Sequence, residues 1–194
     1  MEEIHLNLNS KEDIIKVIRE DDWMMDILYS AKSLHLPDWW VCAGFIRSKI
    51  WDTLHGFNKR TPIADIDVIY YDDKNIEETE EKRFEKELVT IHPNEPWSVK
   101  NQARMHLVNT IPPYLSSVDA IAKFPETATA LGVKLDEHNM LHLAAPHGIN
   151  DVIHMEVKPT DYFKANEERL LVYKKRIAKK NWQANWHKLK IHHV

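Results

Sequence analysis

Apolar positions along the chain follow two spacings, and these lay out the elements. In "NSKEDIIKVIREDDWMMDILYSAKSLH", Ile14, Val17, Ile18, Trp23, Met24, Ile27, Leu28 and Ala31 recur at three and four residues, which predicts one or two helices with a single apolar face. Ser10 stands at the N-cap position with Asp13 three residues on, a variant of the capping box, and Pro37 ends the segment. "WWVCA" (39–43) is a short apolar run of strand character, broken by Gly44. Helical spacing returns in "FIRSKIWDTLHG" through Ile46, Ile50, Trp51 and Leu54 and stops at Gly56. "FNKRTPIA" is a loop, and "DIDVIYYD" is a second strand.

Beyond it, "NIEETEEKRFEKELVTIHP" is a helix with Ile76, Phe84 and Leu88 on its apolar side. "PWSVKN" reads as a third strand, with Trp97 and Val99 on one face. "SSVDAIAKFPETATALGV" holds one or two short helices with Ser117 as a cap, while "NMLHLAAPHG" and "DVIHMEVKP" alternate as two more strands. From Thr160 onward the pattern runs as one long helix. The alternation predicts an α/β (α+β) fold: a mixed central sheet covered by helices, with a long C-terminal helix. Residues 1–160 are expected to form the main domain, and residues 161–194 a helical extension packed on it.

Composition narrows the class. Among 194 residues, 43% are hydrophobic and 29% charged, and 7 Trp, 6 Tyr and 5 Phe supply large apolar surfaces, so a packed core is expected. The net charge of −4 argues against a surface built to wrap nucleic acid. Residues 72–87 are acidic and residues 169–190 are basic; each reads first as a solvated helix face. One cysteine, Cys42, fits a reducing compartment, and "MEEIHLNLNSKED" lacks the basic-then-apolar pattern of a signal segment, so a cytoplasmic location is expected. No apolar window is long enough for a membrane span. The 12 histidines match no zinc spacing. Trp182 and Trp186 are read as docking the terminal helix on its own core rather than stacking bases.

The chemistry concentrates in "CAGFIRSKIWDTLHGFNKRTPIADIDVIYYD". Asp65 and Asp67, at i and i+2 of a strand, point to one face, where each raises the cost of ionising the other. Either a cation sits between them or the strand end is wet. Upstream, a strand stops at Gly44 and a helix begins. That turn lets phosphates approach backbone N–H groups, and the helix start adds partial positive charge. Two carboxylates on one face suit Mg2+ (or Mn2+), which takes oxygen ligands and completes its shell with water and phosphate. The combination describes a site for a nucleoside triphosphate and its metal.

The same residues resemble the signature of the polymerase-beta-type nucleotidyltransferase superfamily. "AGFIRSKIWDTLHG…DID" is similar to the "GGxxRDxLLGxxxxDxD" pattern of tRNA CCA-adding enzymes and bacterial poly(A) polymerases. Ala43 and Gly44 stand where the two glycines fall, and Arg47 stands at the arginine. Ser48 replaces the aspartate that follows, and the loop before Asp65 is longer than in most members. "PWSVKNQARMH", "PPYLSSVDAIAKFPETATALGV" and "APHGINDV" resemble a family of small bacterial nucleotidyltransferase-like proteins, and the likeness covers residues 10–170. It implies the nucleotidyltransferase fold without supplying a substrate.

The superfamily commonly adds a third carboxylate on the strand beside Asp-x-Asp. Here that strand offers Lys100, Asn101 and Gln102, so Asp151 or Glu156 would have to fill the role. The expected roles are therefore these. Asp65 and Asp67 hold metal, and Lys100 and Asn101 join them as catalytic residues. Gly44, Arg47, Ser48, Arg104 and His106 bind nucleotide. The expected reaction moves a nucleotide monophosphate from an NTP to an unknown acceptor, a small molecule or protein in preference to RNA, and releases pyrophosphate. The alternative is a non-catalytic nucleotide-binding or regulatory module on the same fold.

Overall fold

The computed structural model of the protein describes residues 8–194, so most of the acidic N-terminal stretch read against a signal segment lies outside the described residues. Helix α1 (Lys11–Arg19) starts with the expected capping box: Ser10 Oγ accepts from the Asp13 amide at 3.1 Å, and Asp13 Oδ2 accepts from the Ser10 amide at 3.0 Å. The apolar periodicity continues into a separate helix, α2 (Asp22–Ser33), because Asp21 leaves helical geometry to cap it through the Met24 amide. Ile14, Ile18, Met24, Ile27 and Leu28 are fully buried on the shared apolar face.

Strand β1 (Trp40–Cys42) leads into α3 (Gly44–Leu54), then β2 (Ile66–Tyr70), α4 (Glu78–Ile91) and β3 (Trp97–Asn101). Helices α5 (Gln102–Asn109) and α6 (Ser117–Ala122) precede β4 (Gly132–Leu135) and β5 (Leu141–Ala144). These strands form one mixed sheet in the order β3-β2-β1-β4-β5, in which only β2 and β3 are parallel. The parallel pair needs a crossover, and α4 supplies it. Helix α4 also runs along the outer side of β3, where Glu85 accepts from the Val99 amide (3.1 Å) and Glu81 from the Asn101 amide (3.0 Å).

Register decides which side chains meet. Val41, Val68 and Val99 lie side by side and join the large core with Ile14, Leu28, Ile46 and Trp51. Trp40, Cys42 and Ile69 face the other way, into a smaller cluster with Ile121 and Ala130. One sheet face is thus thickly covered and the other only in part. Asp67 pairs with Cys42 and Ser98, which puts it on the thinly covered face.

The C-terminal third departs from the sequence pattern. The stretch expected to hold one or two short helices contains α6 and then runs into strand β4, where a Cβ on Gly132 would lie 2.7 Å from Ile121 Cδ1. The expected strand at 151–159 begins instead within helix α7 (Asn150–Ile153), and only the two-residue β6 (Glu156–Val157) is strand. The single helix expected from Thr160 is divided. Helix α8 (Asp161–Lys164) ends, Asn166 caps α9 (Glu167–Lys180) through the Arg169 amide at 3.0 Å, and Asn181 ends α9 in left-handed geometry. Asparagine side chains compete for backbone groups and tolerate positive φ, which is why both breaks fall at Asn. A 3-10 turn (Trp182–Ala184) and β7 (Lys190–Ile191), paired with β6, complete the chain.

This segment is packed into the main core. Trp182 and Trp186 are buried, and their rings lie 5.8 and 5.2 Å from the fully buried Trp51 in edge-on contacts. Trp186 Nε1 donates to Asp52 Oδ1 at 2.8 Å, and Asp52 also accepts from the Thr61 amide (2.8 Å) and hydroxyl (2.6 Å). Among the described residues, no helix is long and apolar enough to cross a membrane.

The turn from β1 into α3 is strained: Ala43 has φ 58° and ψ −119°, a region that favours glycine. Its amide donates to Leu131 O (3.0 Å) and its carbonyl accepts from the Arg47 amide (3.1 Å), so the surroundings hold it there. Such a conformation costs about 1–3 kcal/mol, against roughly 0.5–1 for the extra freedom glycine has when unfolded. Ala43→Gly is expected to stabilise the fold by about 1 kcal/mol, measured as a higher denaturant midpoint with an unchanged slope. Asp52→Ala strips three buried donors of their acceptor and is expected to cost about 3 kcal/mol or more, measured by the same titration.

Candidate functional site

Asp65 ends the loop before β2 and is exposed; Asp67, two residues on, is partly buried. Burial first, and then the charge of Asp65, push the Asp67 carboxyl up to about 6. A hydrogen bond from the Ser98 side chain and the charges of Arg176 and Lys180 act in the opposite direction. Among the described residues, neither aspartate forms an ion pair, and no three or more His, Cys, Asp or Glu side chains gather as a metal cluster. The neighbouring Cys42 is buried, and burial with the two aspartates raises its thiol well above the ordinary range, so it is no nucleophile.

The donor set is thus two carboxylate groups, Asp67 on β2 and Asp65 in the loop just before it instead of on the expected strand, with their mutual repulsion uncompensated by a direct partner among the described residues. This fits a divalent cation that draws its remaining ligands from water and phosphate.

Beside the pair is the turn into α3. No side chain caps this helix, and Gly44 opens it. A Cβ on Gly44 would meet Arg47 NH2 at 3.5 Å, so Arg47 lies directly under the turn. Arg47 is 7% exposed. Its guanidinium sits 5.0 Å from the Trp51 ring centroid and 4.4 Å from that of Trp182, and NH1 donates to Thr129 Oγ1 at 3.1 Å. Burial pulls it down to about 10, opposed mainly by Glu126 and then by the two aspartates. It remains a cation, placed beneath the turn and out of reach of solvent. Ser48 is likewise buried, within α3.

Glu126 completes the surroundings. It is fully buried, and Oε1 accepts from Arg176 Nε at 2.7 Å. Its other oxygen, like Arg47 Nε, has no hydrogen-bond partner. Sequence patterning passed over Glu126, Thr129, Ser98, Arg176 and Lys180. Glu126 is the lone acid between Asp119 and Asp136, and that isolation was its available signal. Arg176 and Lys180 were hidden in a basic run that reads as solvated surface.

Other expected positions gather elsewhere. Lys100 and Asn101 pair with Ile69 and Tyr70, toward the far end of β2 from Asp65. Lys100 pairs with Glu81 (3.4 Å) and Glu85 (3.6 Å). Asn101 caps α5 through the Ala103 amide and fastens the Asp72–Asn75 turn, donating to the carbonyls of Asp72 (2.7 Å) and Asn75 (2.9 Å). Arg104 forms two 3.0 Å bonds with the buried Glu81, and His106 Nδ1 bonds to the Ala103 carbonyl at 2.8 Å. Asp151 bonds to Thr127 Oγ1 (2.7 Å) and pairs with Lys158 (2.9 Å), and Glu156 pairs with the same lysine. The structure therefore groups Asp65 and Asp67 with Gly44, Arg47, Arg176 and Lys180, and leaves Lys100, Asn101, Arg104, His106, Asp151 and Glu156 in other networks.

Known proteins were compared with this geometry. No curated protein matches the chain. A protein whose NMR structure reveals a CCA-adding enzyme head domain is 36% identical, with a TM-score of 0.85 over 98% of this chain and 100% of that one. The Thermotoga maritima CCA-adding enzyme complexed with tRNA superposes with a TM-score of 0.55 at 14% identity, over 93% of this chain. A CCA-adding enzyme with CTP gives 0.51 at 14% identity, over 92% of this chain. The chain spans 42% of the length of each of those two enzymes, and the likeness to them is one of fold. Residues 29–191, most of the chain, match the nucleotidyltransferase family, and the chain belongs to that family.

Proposed function

We propose that the protein moves a nucleotide monophosphate from an NTP to an acceptor hydroxyl or amine and releases pyrophosphate. The observation that carries this reading is the Asp65–Asp67 pair, unpaired with any cation among the described residues, beside the Gly44 turn on the thinly covered sheet face. Asp65 and Asp67 would hold Mg2+ or Mn2+, which when bound supplies charge neutralisation at the reacting phosphate. The Gly44 turn and the start of α3 offer backbone N–H groups and partial positive charge to phosphate oxygens. Arg47 adds a fixed charge below the turn without touching substrate. Ser98 partly offsets the cost of ionising Asp67.

An NTP as donor agrees with the CTP and ATP held by structural relatives. For the acceptor, a small molecule or a protein side chain fits better than RNA. The net charge is −4, which disfavours binding a polyanion. RNA binding at low salt that fell steeply with added salt would reverse this preference. One observation favours a second reading, a nucleotide-binding module without turnover: among the described residues no third carboxylate joins the pair. The two readings part on pyrophosphate release, which only the first produces.

The parent protein is expected to gain thermal stability from an NTP only with Mg2+ or Mn2+, by about 2.7 kcal/mol at a hundred times the dissociation constant. Asp67→Ala is expected to fold and show no such gain; an equal gain in the variant would remove the assignment. A pH effect follows from the same carboxylate. Its folded value, about 6, lies above the ordinary 3.8, so the fold disfavours the ionised form. The metal-free parent should lose stability as pH rises from 4 to 7, and Asp67→Asn should be spared that loss. At pH 7 the variant is expected to be more stable by about 1–3 kcal/mol, with the difference gone below pH 4, measured by denaturant titration across pH.

A further inference from the structure

We propose that α9 supplies the cations that grip the triphosphate, with Arg176 as the contact, Lys180 as its partner one turn on, and Glu126 as the positioning residue. This rests on the nucleotidyltransferase reading above and adds to it the residues that recognise the polyphosphate. A continuous set of contacts places Arg176 at the site. Arg47 lies under the Gly44 turn and against Trp182, and Arg176 lies 5.9 Å from the same Trp182 ring. Glu126, fully buried, takes only Arg176 Nε. The two terminal nitrogens of that guanidinium have no hydrogen-bond partner among the described residues, and the side chain is one-third exposed.

A guanidinium held by Nε presents its remaining fork to one direction, which is the geometry that binds phosphate oxygens in pairs. Residues four apart share a helix face, so Lys180 stands over the same side. Both cations act on Asp67 through space, whereas the remaining basic residues of α9 do not figure among its main influences. Arg47 cannot take the role, because it is buried between two indoles. The other oxygen of Glu126 has no hydrogen-bond partner, so Arg176 Nε is the one contact that orients this carboxylate among the described residues.

The test uses inorganic tripolyphosphate without metal, followed by Mg2+ with each NTP, NDP and NMP. Binding is measured by calorimetry on the full chain. The parent is expected to bind tripolyphosphate, more weakly as salt rises. Lys180→Gln, an exposed change with no burial cost, should weaken it three- to tenfold. The double variant Arg176→Gln/Glu126→Gln, which removes that ion pair as a whole, should weaken it at least tenfold. Asp67→Asn should bind tripolyphosphate at least as tightly as the parent, since a repelling charge is gone, while losing Mg-dependent NTP binding.

Glu126→Gln alone makes the site more positive. A purely electrostatic role would tighten tripolyphosphate binding, and a positioning role lowers the preference for triphosphate over monophosphate. Unchanged tripolyphosphate binding in both the Lys180 variant and the double variant overturns the proposal, even if the parent binds Mg·NTP. Tripolyphosphate binding lost in those variants, with no Mg·NTP binding by the parent, keeps the anion grip and overturns the transferase reading instead.

Discussion

A guanidinium cannot be buried without compensation, and Arg47 is the point where this chain meets that requirement. Removing such a charge from water costs several kcal/mol even after relaxation. Two indole faces, the Thr129 hydroxyl and the field of Glu126 offset it. The partners come from distant parts of the sequence: Trp51 from α3 itself, Thr129 and Glu126 from the approach to β4, and Trp182 from the turn after α9. The helix that opens at Gly44 is fixed in place by the same interaction that brings the C-terminal segment against it. The turn, the carboxylate pair and the basic side of α9 therefore form one rigid neighbourhood instead of three separate surfaces.

Charge is divided along the parallel strands. At the start of β2 stand two aspartates with no cation in contact among the described residues, and Asp67 carries the strain of that arrangement as a carboxyl that resists ionising. Toward the end of β3, Lys100 and Arg104 are matched against Glu81, with Glu85 beside Lys100. One end is left electrostatically unsatisfied and the other is balanced. Folding alone would favour balance at both ends, and the imbalance at Asp65 and Asp67 is the feature on which the proposed cation site rests.

Much of this could be read from the sequence where the signal is local. The capping box at Ser10, the strand–Gly–helix turn and the second strand each depend on residues within a turn or two of one another, and the docking of Trp182 and Trp186 follows from their size and apolar character alone. The readings that fell short depend on partners remote in sequence. The polar density of "KNQAR" resembles a ligand site because nothing in those residues tells that Glu81, some twenty positions earlier, is buried beside them. Glu126 and Arg176 become a pair only when a loop and a terminal helix meet fifty residues apart. Helix periodicity hid the breaks at Asn166 and Asn181, since apolar spacing continues across a cap without interruption. Ala43 shows the reverse case: the similar family pattern has glycine there, and the positive φ explains in backbone terms why glycine would suit the position.

The outer side of β3 has a consequence for how these molecules behave toward one another. A strand at the margin of a sheet normally offers amides that a neighbouring chain can adopt as a template for extension. Here the outward amides of Val99 and Asn101 are already occupied by Glu85 and Glu81 of the same chain. An approaching strand would have to displace two anchored carboxylates and then lie against negative charge. Side-by-side accretion into larger β assemblies is thereby blocked on this margin, and the face carrying Asp67 is left free of any such screening role.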